Sequence, residues 1–235
     1  MSSLYERDGR RILFVHIPKA GGTSVRRMLV QEGWKKIEDP ETPENLKNEI
    51  PGSRRSKHQH KALRDLWSNR GWNCAFSIVR NPYERFFSQM KHIAVARKNA
   101  GFDQGHGNVP TSAGVLESFK NIYDNLIPKL GIGFDDNHFR PQSDFIEDGV
   151  SCYRLEDQLS EMVDFLRKNK IISNNILLPH LNESIENSPN VIVSWPLNKE
   201  LHSKFLNLYW DDFENFGYSR EVPTYGISVN WNKYN

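Results

Sequence analysis

The chain has 235 residues, 37% of them hydrophobic and 26% charged. That composition excludes a disordered, collagenous or coiled-coil protein and is enough for one domain, residues 1–235, with a sizeable core. The 31 Lys and Arg against 29 Asp and Glu give a net charge of +2, which does not call for nucleic acid, yet residues 1–100 hold 20 basic and 10 acidic side chains and the rest is acidic, which points to an anionic ligand in the first half.

In chain order, the charged start MSSLYERDGRR lacks the apolar centre of a signal peptide. Arg11–Ile17 (RILFVHI) is apolar and rich in β-branched residues, and reads as a buried strand. Pro18–Gly22 breaks it, and Thr23–Glu32 reads as a helix, with Thr23 or Ser24 placed to cap it. Residues 35–56, with Pro40, Pro43 and Pro51, read as a long polar connection, and Lys61–Trp67 as a short helix. Cys74–Val79 (CAFSIV) is a second buried strand, and Pro82 opens a helix running to about Lys98. A Gly-rich loop over 101–114 precedes an amphipathic helix, Leu116–Leu130. Ser151–Leu155 is a third strand, Glu156–Lys168 a helix, 181–197 mostly loop, and Lys199–Trp210 a last long helix. The end after Tyr218 lacks periodicity. Strands alternating with helices predict an α/β fold around a mainly parallel sheet. Cys74 and Cys152 are too few for a disulfide framework and read as buried free thiols. No apolar run approaches the ~20 residues of a membrane span.

Two stretches carry chemistry. In His16-Ile17-Pro18-Lys19-Ala20-Gly21-Gly22-Thr23-Ser24 a strand passes through a Gly-Gly turn into a helix. The first amides of such a helix lack partners and its dipole favours an anion. Gly21 and Gly22 allow close backbone approach, Lys19 adds charge, and Thr23 and Ser24 add hydroxyls. The arrangement is a cradle for phosphate or sulfate, where a lone Gly-Gly turn would be only a turn. It is not G-x-x-x-x-G-K-[ST], because Lys19 precedes the glycines. The second strand ends in Arg80 and offers no acidic ligand for magnesium, so no metal is expected. In the second stretch, Ile78-Val79-Arg80-Asn81-Pro82-Tyr83-Glu84-Arg85-Phe86-Phe87-Ser88, Arg80 leaves a strand end and Ser88 lies on the following helix. Together they could pinch a second phosphate. Phe86, Phe87 and Met90 read as core, and Arg85 as a surface or intramolecular ion pair.

HIPKAGGTS followed by IVRNPYERFFS resembles the carbohydrate-type sulfotransferases that use 3′-phosphoadenosine 5′-phosphosulfate (PAPS). The nearest likeness is to the branch of the heparan sulfate 2-O- and 6-O-sulfotransferases and their bacterial relatives. The resemblance implies a P-loop-like, three-layer α/β fold with helices flanking the sheet. It implies that Lys19, Gly21, Gly22, Thr23 and Ser24 bind the 5′-phosphosulfate and that Arg80 and Ser88 bind the 3′-phosphate. Arg140–Phe145 (RPQSDF), Tyr153–Glu156 (YRLE), LPHLN at 178–182 and DFENFGY at 212–218 are weaker echoes of the same family. Ala20 stands where Thr is commoner.

Transfer to an alcohol needs a base, and histidine titrates near working pH. Aligning Arg64, Asp65 and Leu66 with the family's R-E-L places His60 at its histidine, with His58 as the alternative. Two solvated histidines in a basic loop is the plainer account. A zinc site lacks further ligands at suitable spacing. His16 reads as a structural strand-end residue, and His92, His106 and His138 rank below.

The expected function is sulfuryl transfer from PAPS to a glycan or other hydroxyl, giving adenosine 3′,5′-bisphosphate. The alternatives are a kinase-like P-loop phosphotransferase and a non-catalytic nucleotide-binding relative. The expected setting is cytoplasmic for a full-length chain, and the Golgi lumen only if an anchor has been removed. Acceptor identity and oligomeric state are not written in the sequence.

Overall fold

The computed structural model describes residues 3–37, 71–89, 137–176, 192–193, 199–221 and 227–228. Its first element was not anticipated. Strand β1 (Ser3–Arg7) forms a hairpin with β2 (Arg10–Val15). Asp8 and Gly9 join them with φ of 53° and 73°, the positive pair that a two-residue turn between twisted strands demands. Strand β2 stops at Val15, two residues before the expected end, and the turn follows over residues 18–21. Strand β3 (Lys35–Lys36) pairs antiparallel with Tyr5 and Glu6 of β1, so the presumed connection begins as a sheet edge.

Strands β4 (Cys74–Val79) and β5 (Val150–Arg154) complete a sheet of order β3-β1-β2-β4-β5. Strands β2, β4 and β5 are parallel neighbours, and β1 runs against both of its own. The mainly parallel α/β architecture is therefore present, with a hairpin added at one side. A separate two-stranded ladder pairs β6 (Ile192–Val193) with β7 (Ile227–Ser228), in stretches read as loop and as aperiodic tail.

Side chains alternate across the sheet as strand geometry requires. On one face, Ile12, Phe14, Phe76 and Ile78 meet Val25, Met28 and Leu29 of helix α1 (Gly22–Gln31). Met162 and Leu166 of a later helix close the same layer. On the other face, Leu13, Val15, Ala75 and Val79 pack with Phe145 from a single 3-10 turn, Ser143–Phe145. Ser77 shares this face, fully buried, and satisfies its hydroxyl on the Val15 carbonyl at 2.8 Å. Helix α2 spans 82–89 within the described residues. Its Phe86 and Phe87 are buried, as expected of core.

Helix α3 (Leu159–Lys168) starts three residues later than expected. Glu156 and Asp157 are engaged elsewhere: Glu156 with Asn81 and Tyr218, Asp157 with Arg154. The expected last long helix, Lys199–Trp210, is present as α4 (Lys199–Leu208), and a further helix that was not expected, α5 (Trp210–Phe216), follows it. The path resets at Tyr209, whose carbonyl accepts the N–H groups of Asp212 and Phe213. An aromatic cluster joins α2 to this pair, with Tyr83 and Phe205 stacked at 4.9 Å and the Phe205 and Tyr209 rings tilted, 4.7 Å apart.

Cys74 and Cys152 are half-buried rather than fully buried and pack on opposite sheet faces. Burial pushes both thiols up, Cys152 to about 12. The helices expected over 61–67 and 116–130, the stretch 90–98 and the Gly-rich loop lie outside the described residues. No helix among the described residues is long and apolar enough to cross a membrane.

Candidate functional site

Strands β2, β4 and β5 all end at the same sheet edge, where parallel α/β sheets hold their ligands. The loops after β2 and β4 are the two phosphate-type stretches of the sequence.

In the first loop, His16 is buried and its ring lies over that of Phe14, 5.8 Å between centroids and 15° from parallel. Lys19 takes the left-handed conformation, with φ of 65°. Gly21, at φ of 83°, is the N-cap of α1. The helix thus begins at Gly22, one residue before the expected start, and neither Thr23 nor Ser24 caps it. No side chain caps this end and no acidic residue stands in its first turn. Among the described residues, neither a cap nor a first-turn carboxylate offsets the positive end of the helix dipole here, and such an end favours an anion. Thr23 is exposed and Ser24 half-buried beside it.

In the second loop, Asn81 starts α2 by accepting the Tyr83 N–H on Oδ1 at 3.0 Å, and Pro82 enters the first turn. Arg80 is directed three ways. Its Nη1 donates to the Lys19 carbonyl at 3.3 Å. Its Nε and Nη2 donate to Oε2 of Glu84 at 3.4 and 3.1 Å. Its main chain is clamped by Gln142, which accepts the Arg80 N–H at 2.8 Å and donates to the Arg80 carbonyl at 2.7 Å. Ser88 is half-buried and lies one helical step beyond Glu84, on the same side of α2. The structure thus joins Lys19 to Arg80 directly and puts Ser88 on the Glu84 side of the helix.

The weaker sequence echoes converge here. Asp212, fully buried, accepts the N–H groups of Gln142 and Ser143, both at 2.8 Å. Burial pushes its carboxyl pKa up, against the pull of Arg85 and the two amides. Glu156 accepts the Asn81 N–H on one oxygen at 2.8 Å and the Tyr218 hydroxyl on the other at 2.9 Å. The RPQSDF, YRLE and DFENFGY segments therefore all reach the second loop.

Arg85 corrects the sequence reading. It is neither a surface residue nor in a direct ion pair among the described residues. It is 2% exposed and donates to the main-chain carbonyls of His138 and Arg140 at 3.2 and 2.5 Å. Glu84, Gln142, Asp212 and Glu156 had no assigned role from sequence. Glu84 could have been found from its i,i+4 spacing to Arg80, whereas the others depend on contacts between distant segments. His58 and His60 lie outside the described residues, as do His92 and His106.

The Sulfotransferase family model matches residues 4–219, nearly the whole chain. The chain belongs to the sulfotransferase family. Comparison with curated proteins and with solved structures gave no match. A sulfotransferase must bind an anionic sulfuryl donor and an acceptor. In this one, the uncapped end of α1, Lys19 and Arg80 gather positive charge at a single edge of the sheet.

Proposed function

We propose that this sulfotransferase moves the sulfuryl group of PAPS onto a hydroxyl of a glycan or another acceptor, in the manner of the heparan sulfate 2-O/6-O branch. The observation that carries this reading is the hydrogen bond from Arg80 Nη1 to the Lys19 carbonyl. It fixes the spacing between the two loops, as a donor with phosphate groups on both the 3′ and 5′ oxygens of its ribose requires. The residues fit such a ligand. The cap of α1 is a glycine with no competing side chain. The bonds of Arg80 to Glu84 and Lys19 leave about two of its five guanidinium N–H groups for an anion.

PAPS supplies the activated sulfuryl group. Lys19, Gly21, Gly22, Thr23 and Ser24 surround its 5′ end, and Arg80 and Ser88 hold its 3′-phosphate. His60, with His58 as the alternative, takes the acceptor's proton as the new S–O bond forms and the S–O bond to the 5′-phosphate breaks. Lys19 and the first amides of α1 stabilise the charge that gathers on the departing oxygen. Adenosine 3′,5′-bisphosphate leaves as product, and the chemistry calls for no metal.

Calorimetric titration with adenosine 3′,5′-bisphosphate, adenosine 5′-phosphate and magnesium-ATP tests the reading. The bisphosphate is expected to bind tightest, and Arg80→Ala to remove that preference. Tighter binding of magnesium-ATP would favour a phosphotransferase. Bisphosphate binding without turnover across a panel of glycan acceptors would favour a non-catalytic relative.

A further inference from the structure

Arg80 stands at the end of a strand, where its main chain is free of the ladder and its side chain could swing. Three buried groups act on that freedom: Arg85 from the helix that follows, and Gln142 and Asp212 from distant segments. Gln142, completely buried, uses both ends of its amide on the Arg80 main chain, at 2.8 and 2.7 Å. An amide can do this only if it is held in one orientation.

The segment carrying Gln142 is gripped along its backbone by groups of opposite charge. Arg85, from α2, takes the carbonyls of His138 and Arg140. Asp212, from α5, takes the N–H groups of Gln142 and Ser143. A cation on carbonyls and a carboxylate on amides is the polarity each backbone group prefers, and charged hydrogen bonds of this kind are the stronger sort. Arg85 and Asp212 also attract one another across the segment. Among the described residues, the hydrogen bonds of this arrangement that reach the proposed site are those of Gln142 on the Arg80 main chain.

Resting on the donor site proposed above, we infer that Gln142 is a positioning residue for Arg80, and that Arg85 and Asp212 hold Gln142 in place by gripping residues 138–143 from opposite sides. The consequence is specificity for the 3′-phosphate. Losing the clamp lets Arg80 relax onto Glu84 and Lys19 alone, which weakens the 3′ contact and leaves the 5′ site intact.

The test compares affinities for adenosine 3′,5′-bisphosphate and adenosine 5′-phosphate in wild type, Gln142→Met, Arg80→Ala and the double variant. Gln142→Met keeps the volume and removes both hydrogen bonds. It is expected to weaken bisphosphate binding about tenfold, leave the monophosphate unchanged, and add nothing in the Arg80→Ala background. Gln142→Glu keeps the acceptor for the Arg80 N–H, so it should fall between, and it serves if Gln142→Met does not fold. Equal loss for both nucleotides, or the full loss persisting without Arg80, would overturn the inference and leave the donor site standing. If Arg80→Ala itself spared bisphosphate binding, the donor-site reading would fail and this inference with it.

Discussion

The imidazole of His16 fills the space in which a side chain on residue 22 would begin. The ring is itself immobilised, buried and stacked on Phe14. The second glycine of the Gly-Gly turn is therefore required by a neighbour within the protein as well as by any ligand. Gly22→Ala forces the ring to move and is expected to cost about 1–3 kcal/mol of stability, read from urea unfolding. The double variant His16→Ala/Gly22→Ala should recover most of that loss. No recovery would show that residue 22 is constrained by something other than His16.

Lys19 combines the charge assigned to catalysis in the proposed function with a left-handed backbone, and the two can be separated. Lys19→Gly suits a φ of 65° while deleting the ammonium group. Relief of strain and the added freedom of the unfolded chain oppose one another, so stability should stay within about 1 kcal/mol. Turnover with PAPS should nonetheless fall about a hundredfold or more. Retained turnover at unchanged melting temperature would remove Lys19 from the catalytic apparatus.

Glu84 both orients Arg80 and offsets its charge, at 3.1 Å with both side chains largely covered. Glu84→Gln keeps an acceptor in place and removes the negative charge. Bisphosphate affinity should rise by about two- to fivefold at low salt, an effect that shrinks as ionic strength increases. Weaker binding in Glu84→Gln would mean that orientation of Arg80 outweighs its neutralisation.

Cys152 ties stability to alkaline pH. Burial raises its thiol from the ordinary value near 9 to about 12. The native state therefore keeps the proton that the unfolded chain releases, and unfolding gains a proton-releasing step as pH rises. The contribution is complete below about pH 9 and is lost between about 9 and about 12. Cys152→Ala should flatten the fall in melting temperature from about pH 8 to about pH 10.5. An identical slope in wild type and variant would show that other groups set the alkaline limit.

The parallel core and its two edge loops were legible because their signals are local. Cys74–Val79 is a run apolar but for Ser77 and closed by Arg-Asn-Pro, and the Gly-Gly turn follows β2 within six residues. The β1–β2 hairpin was equally local but overlooked: Asp8-Gly9 is a two-residue turn signal inside a stretch judged only by its charge. The start of α3 was misjudged because Glu156 has good helix propensity, and its contacts with Asn81 and Tyr218 override that preference. The clamp on Arg80 could not be read at all. Gln142, Arg85 and Asp212 come from three separated segments, and no spacing rule relates them.

The sheet also carries a safeguard at its β1 side. The strand beyond β1 is only Lys35–Lys36, and it pairs with just Tyr5 and Glu6. Two adjacent ammonium groups on so short a margin give an incoming chain few backbone groups to join and a repulsive approach for another copy of itself. Among the described residues, the margin beyond the hairpin thus takes a form that discourages edge-to-edge polymerisation, and it lies away from the carboxyl ends of β2, β4 and β5, where the proposed site stands.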